Sequence, residues 1–211
     1  MPGSRPGRRR LKTWNLLCAL LLLAVNEKKS APPVPATLGA GGWAIICQGA
    51  AVQMQGNGPW YFDFPSNGGV GYVYKPTGPL WAGQTITLRF AIQGDGTLSP
   101  ADPADAPPTT VRLFIWRAGD NGTGAGQYEF YRWWSGVTQM PGAGEYTVQF
   151  PIDGRWTSIF AKSGDMVPGS FADALQNAGY VGFTMSGQYF AGHGVRANGP
   201  ARFVLKEFSV N

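Results

Sequence analysis

The chain has few of the residues that disulfides and metal sites need. Its 211 residues include two cysteines and one histidine, and Cys47 is the only cysteine beyond residue 30. No disulfide can form within residues 31–211, and His193 with Cys47 is too small a set for a nitrogen–sulfur zinc site. The apolar stretch "WAIICQG" around Cys47 predicts a packed thiol with low reactivity.

Carboxylates are scarce too. Residues 31–211 contain three glutamates and eight aspartates, with no paired-acid motif such as E-x-D-x-x-E. Because glycoside hydrolysis needs two carboxylates at a set separation, the sequence favours a protein without catalytic residues. A polysaccharide lyase or hydrolase stays open as an alternative, since Arg132, Tyr131 and His193 could be brought together only by the fold.

Excess positive charge is confined to the start of the chain. Of 17 Lys/Arg and 12 Asp/Glu, seven bases and one acid lie in residues 1–30, which leaves 10 bases and 11 acids for residues 31–211. Nucleic-acid binding needs clustered surplus cations, so this balance argues against a nucleic-acid partner.

The most apolar segment is short for a membrane span. "WNLLCALLLLAV" has 12 residues and follows the basic "RPGRRRLK", whereas a spanning helix needs about 20. This arrangement is typical of a secretory signal. We expect residues 1–29 to be a signal peptide or, if uncleaved, an N-terminal anchor that is the chain's membrane contact. Residues 30–42 are expected to be a Pro/Ala/Gly linker and residues 43–211 one domain, secreted, periplasmic or at the cell surface.

The rest of the sequence has β periodicity. In "TITLRFAIQ", Ile86, Leu88, Phe90 and Ile92 alternate with polar or small residues. Five further stretches predict strands: "VRLFIWR", "EYTVQFPI", "RWTSIFA", "YVGFTMSG" and "ARFVLKEFSV". Asp153-Gly154 predicts a hairpin turn, and a change of phase near residues 206–207 predicts a β-bulge.

One short helix is expected, with Ser170 as N-cap, "FADALQNA" as its body and Gly179 as its stop. The 31 glycines and 17 prolines favour turns over longer helices. We therefore predict an all-β fold: an antiparallel β-sandwich, specifically a jelly roll, with at most one short helix.

The closing stretch "ARFVLKEFSV" resembles the last strand of jelly-roll carbohydrate-binding modules. Those modules often carry an Ile-Asp pair in that strand, where this chain has Leu205-Lys206. "GYVYKPTGPL", "AGDNGTGAGQYEFYRWW" and "GHGV" also resemble uncharacterised bacterial and phage-encoded β proteins. The first resemblance implies a sugar-binding sandwich, and the second implies no activity.

The stretch "GQYEFYRWWSG" has aromatic residues on both faces of the strand that it predicts. Burying Tyr131 and Trp133 leaves Arg132 on the outer face, and this is the favourable choice because an unpaired buried guanidinium is costly. The same reasoning places Arg112 and Arg89 on outer faces. If these strands share a sheet, their outer side chains form one aromatic and arginine patch. Its predicted ligand-binding residues are Arg89, Arg112, Phe114, Trp116, Tyr128, Arg132 and Trp134.

Such a patch fits a polysaccharide or glycoconjugate, including an acidic one. Sugar rings stack on Trp and Tyr, and arginine binds carboxylate or sulfate. Two alternatives stay open. A loop or the N-terminal segment covers the face, or the face contacts protein in a structural or adhesion protein of a cell envelope or virion.

No cofactor is predicted, although a structural calcium stays open. Asp95, Asp102 and Asp105 lie in one loop, and Asp120 and Asn121 lie in another. Neither loop has EF-hand spacing, and turn formation by Asp and Asn explains both. The carbohydrate-binding modules that the chain resembles often hold such a calcium.

Overall fold

A computed structural model describes residues 40–56 and 59–211. The expected signal peptide or anchor, and all but the last three residues of the expected linker, lie outside these ranges. Within the described ranges, no helix is both long and apolar enough to cross a membrane.

The described chain forms 13 strands and one α-helix, α1 (Pro168–Gln176). The strands are β1 (Ala44–Gln48), β2 (Tyr61–Asp63), β3 (Gly69–Pro76), β4 (Thr85–Gly94), β5 (Thr97–Pro100), β6 (Thr110–Arg117), β7 (Arg132–Trp134), β8 (Thr138–Gln139), β9 (Gly144–Pro151), β10 (Thr157–Ser158), β11 (Ala178–Ser186), β12 (Val195–Asn198) and β13 (Ala201–Val210). Two 3-10 turns, Ala40–Gly42 and Gly126–Phe130, complete the elements.

The strands make two sheets. The nine-stranded sheet has the order β10-β7-β6-β11-β3-β12-β5, with β1 beside β3 and β8 beside β6; the four-stranded sheet has the order β2-β13-β4-β9. Every strand pair is antiparallel. The prediction of an antiparallel β-sandwich with one short helix is confirmed.

The core lies between the two sheets. Ile86, Leu88 and Phe90 of β4 are buried, as the alternation of that stretch predicts. The Phe183 ring on β11 stacks on the Phe203 ring on β13, with centroids 5.0 Å apart. Because β11 and β13 belong to different sheets, this stack joins the two layers directly.

The predicted bulge is confirmed. The register of β13 against β4 shifts between Leu205 and Glu207. Lys206 is the extra residue, and it lets Phe208 and Val210 pack against the core beyond the change of phase.

Two local predictions need correction. Asp153-Gly154 does not close a hairpin, because β9 pairs in the four-stranded sheet while β10 pairs with β7 in the nine-stranded sheet. The turn therefore carries the chain from one sheet to the other. The helix begins at Pro168, not after Ser170, since proline fits the first turn, and Gly179 lies within β11.

Candidate functional site

The nine-stranded sheet has a second apolar layer on the side away from the core, here called the outer face. On β6, Val111, Leu113 and Ile115 point into the core, while Phe114 and Trp116 point to the outer face. The buried members of this layer are Ala44, Tyr74, Phe114, Trp116 and Trp134, with Ile46, Tyr72, Ile159 and Ala191 packed beside them.

Strand register arranges the outer-face residues in three rows of cross-strand neighbours. These rows are Arg112, Thr184 and Tyr72; Trp134, Phe114, Gly182 and Tyr74; and Arg132, Trp116 and Tyr180. Cross-strand neighbours on one face are close enough for their side chains to interact.

Gly182 makes the middle row possible. A Cβ at this position would lie 2.1 Å from the carbonyl oxygen of Val73, so a larger residue would push β11 away from β3. With no side chain at Gly182, rings from β3 and β6 contact each other across β11. The Tyr74 and Trp116 ring centroids are 5.4 Å apart.

The fold brings five of the seven predicted site residues to the outer face: Arg112, Phe114, Trp116, Arg132 and Trp134. Arg89 is not among them. It lies on β4 in the four-stranded sheet, exposed, with its Nη1 3.5 Å from Oε2 of Glu207. The expectation that all three arginines share one sheet is therefore wrong. Alternation along a strand identifies its outward side but not the sheet to which the strand belongs.

Tyr128 also lies away from the predicted strand. Gly126–Phe130 is a 3-10 turn, and β7 begins only at Arg132. Trp133 is fully buried, as predicted, and its indole N–H donates to the Phe130 carbonyl oxygen at 2.8 Å. Tyr131 is half-buried beneath the guanidinium of Arg117, whose Cζ lies 4.4 Å from the ring centroid.

The sequence analysis missed three tyrosines of the outer face, Tyr72, Tyr74 and Tyr180. The alternation of Tyr72, Val73 and Tyr74 was the available signal, since Val73 is buried in the core. Tyr180 is the most exposed ring of the face, at 38%. By contrast, Phe114, Trp116 and Trp134 are only 0–6% exposed.

Two loops border the outer face. The 187–194 loop contacts it through Tyr72, whose hydroxyl donates to the Ala191 carbonyl oxygen at 3.4 Å, and through Arg112, whose Nη2 donates to the Gln188 carbonyl oxygen at 3.2 Å. Burial raises the pKa of Tyr72 to about 12. This phenol therefore stays neutral at physiological pH.

The second loop, residues 118–125, is held by an ion pair between Asp120 and Arg132. Asp120 accepts hydrogen bonds from Nε and Nη2 of Arg132, and the two side chains are only 10% and 12% exposed. Burial lowers the pKa of the Arg132 guanidinium, but the Asp120 hydrogen bond and charge raise it by more, so its pKa lies above the ordinary value. Arg132 also lies 5.8 Å from the Trp116 ring centroid.

Two N–H donors of the outer face have no acceptor. Nε of Arg112 and Nε1 of Trp116 are buried without a hydrogen-bond partner in residues 40–56 and 59–211, whereas the Trp134 indole N–H donates to the Tyr72 hydroxyl oxygen. Trp60, in the main core, also has an unpaired indole N–H. A single unpaired indole is therefore not specific to this face, but two unpaired donors on the same side of one strand require an explanation.

Three of the four aspartates considered for calcium, Asp102, Asp105 and Asp120, bind protein donors. Asp105 is buried and accepts backbone N–H bonds from Ala106, Gly187 and Tyr189 at 2.7–2.9 Å. Asp120 is paired with Arg132. The described residues contain no group of three or more His, Cys, Asp and Glu that could hold a metal ion.

His193 joins two loops. Its Nδ1 lies 2.7 Å from Oδ2 of Asp102, and its ring stacks on Phe190 with centroids 4.5 Å apart. The three groups of the alternative lyase hypothesis therefore each have another contact: His193 with Asp102, Arg132 with Asp120, and Tyr131 with Arg117.

A separate depression lies at one end of the four-stranded sheet. It measures about 490 Å³ and is open to solvent. Asp63 and Arg202, which line it, form a bidentate ion pair at 2.7 and 3.1 Å. Because Asp63 and Arg202 neutralise each other, the pair leaves no unpaired charge in this depression for a ligand to bind.

No family model matches the chain. No curated protein matches it either. Among solved structures, the chain is similar to xylanase 10C from Cellvibrio japonicus in complex with xylopentaose, with 12% identity over 82% of this chain and a TM-score of 0.38. The chain spans only 27% of that xylanase. It is also similar to the second N-terminal cellulose-binding domain of β-1,4-glucanase C from Cellulomonas fimi, with 18% identity, coverage of 88% of this chain and 96% of that domain, and a TM-score of 0.31.

Proposed function

We propose that the chain is an exported, non-catalytic carbohydrate-binding protein that holds a polysaccharide on the outer face of its nine-stranded sheet. The observation that carries this proposal is the pair of buried N–H donors without acceptors on β6, Nε of Arg112 and Nε1 of Trp116. A buried donor left unpaired costs about 1–3 kcal/mol. A ligand that supplies acceptors to several such donors recovers part of that cost.

Sugars suit this surface because they combine apolar and hydrogen-bonding groups. Their C–H faces pack on aromatic rings, and their hydroxyls accept hydrogen bonds. Tyr180 on β11, the most exposed ring of the outer face, supplies the stacking surface, and the unpaired donors lie on the neighbouring strand β6. Aromatic rings with a polar edge are common where one side of a contact is apolar and the other is wet.

A conservative substitution of the unpaired indole provides the test. Trp116→Phe removes the N–H but keeps an aromatic ring. We expect it to weaken binding to a polysaccharide about 10-fold, which corresponds to about 1.4 kcal/mol. Affinity gels with a panel of soluble polysaccharides, followed by titration calorimetry of the best binder, measure this change on the full chain.

Trp60→Phe is the matched control, because it removes an equally unpaired indole N–H from the main core. Tyr180→Ala tests stacking, with the exposed Trp81→Ala as its control. Circular dichroism checks that each variant is folded. If the chain binds no polysaccharide, or if Trp60→Phe weakens binding as much as the outer-face variants, the proposal is wrong.

A second candidate is a structural or adhesion protein of a cell envelope or virion. Four large apolar side chains are more than half exposed, namely Trp81, Phe160, Met166 and Tyr189. Exposed apolar groups of this size are enriched in protein contacts. This candidate predicts no polysaccharide binding together with concentration-dependent assembly in light scattering, and mutation of these four residues would abolish that assembly.

A further inference from the structure

Arg112 is the one described arginine that is both half-buried and without an ion pair. Five of the described arginines lie within 4.0 Å of a carboxylate: Arg89, Arg117, Arg132, Arg155 and Arg202. Among residues 40–56 and 59–211, only Arg112 and Arg196 make no such ion pair. Arg196 is exposed on β12, where water solvates it. Arg112 is half-buried on the outer face.

The groups around Arg112 do not complete its hydrogen bonding. Its Nη2 donates to the Gln188 carbonyl oxygen, while its Nε is buried without an acceptor. Asp105 interacts electrostatically with Arg112, but that carboxylate already accepts three backbone N–H bonds. The Thr184 hydroxyl, on the neighbouring strand, donates to the Gly71 carbonyl oxygen at 2.8 Å.

A half-buried cation without a partner is costly, and an anion beside it removes that cost through a charge-assisted hydrogen bond. Arg132 provides the internal comparison. It lies on the same face, but Asp120 occupies both its Nε and its Nη2. An incoming anion would have to displace Asp120 to reach Arg132, whereas no carboxylate of the described residues occupies the guanidinium of Arg112.

We propose that Arg112 is the anion receptor of the outer face and that the polysaccharide bound there is acidic. This inference rests on the proposed function and specifies its ligand class. The anionic group, a carboxylate of a uronic acid or a sulfate ester, binds the half-buried guanidinium of Arg112. Arg132 and Arg89 do not act as receptors, because Asp120 and Glu207 neutralise them.

The experiment uses matched pairs of acidic and neutral polysaccharides on the full chain. Each uronic acid polymer is paired with its carboxyl-reduced form, and each sulfated polymer with its desulfated form. We expect at least one acidic member to bind 10-fold or more tightly than its neutral partner, and the pair that shows this difference identifies carboxylate or sulfate as the group. Arg112→Gln should abolish the difference between the acidic and the neutral partner. Arg89→Gln, which removes an exposed arginine from the other sheet, should change neither affinity.

A second measurement uses the wild-type protein. The ¹⁵Nε resonance of Arg112 should shift when the acidic polymer is added, and that of Arg132 should stay in place. Equal binding of acidic and neutral partners would overturn the inference and leave carbohydrate binding intact. An acid preference that Arg112→Gln does not reduce would have the same consequence, as would a resonance shift at Arg132 in place of Arg112. Failure to bind any polymer would overturn the proposed function itself.

Discussion

The Arg132–Asp120 pair allows a quantitative test of how well the outer face is sealed. Asp120→Asn keeps the shape of the side chain but removes its charge, and leaves the Arg132 guanidinium unpaired at 12% exposure. Removing one partner of a buried pair costs about 3–5 kcal/mol. Because this pair retains some contact with solvent, we expect about 2–4 kcal/mol. For a domain of this size, that lowers the melting temperature by about 4–16 °C.

Glu207→Gln is the control for this substitution. It also replaces a carboxylate by an amide beside an arginine, but the Arg89–Glu207 pair is 55% and 42% exposed with a separation of 3.5 Å. Exposed pairs of this kind contribute at most about 1 kcal/mol. Urea denaturation followed by tryptophan fluorescence measures both variants. The double variant Asp120→Asn/Arg132→Met should recover much of the loss, since it removes the stranded charge as well.

The Arg132–Asp120 pair is not sealed from solvent if Asp120→Asn lowers the free energy of unfolding by no more than Glu207→Gln does. That result would mean that water solvates Arg132 without the carboxylate, so the outer face would be open at this position. It would also remove the contrast with Arg112, because both guanidinium groups would then be accessible to a ligand anion.

Two further predictions follow from burial of neutral groups. Burial raises the pKa of Cys47 to about 11, so iodoacetamide at pH 8 should alkylate this thiol about 100-fold more slowly than a free thiol. Peptide mapping separates Cys47 from Cys18 and measures the rate. Alkylation of Cys47 at the rate of a free thiol would contradict the prediction. Burial raises the pKa of Tyr72 to about 12 from an unfolded value of about 10. The contribution of the neutral Tyr72 phenol to the free energy of unfolding is therefore complete below pH 10 and is lost as the pH rises to 12. Over that range the wild type should lose up to about 2–3 kcal/mol more free energy of unfolding than Tyr72→Phe, and equal losses would show that the phenol is solvated.

The sequence predicted the fold well wherever the signal was local. The alternation of Ile86, Leu88 and Phe90 predicts a strand with one buried side because successive side chains of a strand point in opposite directions. The phase change at Lys206 marks the bulge by the same rule. These features depend only on residues next to each other in the chain, so no knowledge of the partner strands was needed.

Errors arose where the outcome depends on distant residues. Asp153-Gly154 has the composition of a hairpin turn, but β10 pairs with β7 and leaves β9 in the other sheet. The aromatic stretch from Tyr128 to Trp134 has strand composition throughout, yet only its last three residues pair with β6. Turn and strand propensities are local, whereas the choice of a partner strand is not.

The same distinction explains the candidate site. Alternation correctly predicted which residues of β6 face outward, including Phe114 and Trp116. It could not predict that Arg89 belongs to the other sheet, or that the 187–194 loop lies against Tyr72. Burial of the outer rings depends on the paths of loops, which have no periodic signal.

The outer face is explained either as a second core covered by loops or as a ligand-binding surface. Its two arginines distinguish these explanations. If the face were only a second core covered by loops, each polar group on it should find a partner within the protein, since an unpaired buried group is costly. Arg132 meets this condition through Asp120. Nε of Arg112 does not, and neither does the indole of Trp116. Structural covering thus accounts for the part of the face beside Asp120 but leaves two donors unexplained. A ligand with several acceptors, one of them anionic, accounts for both.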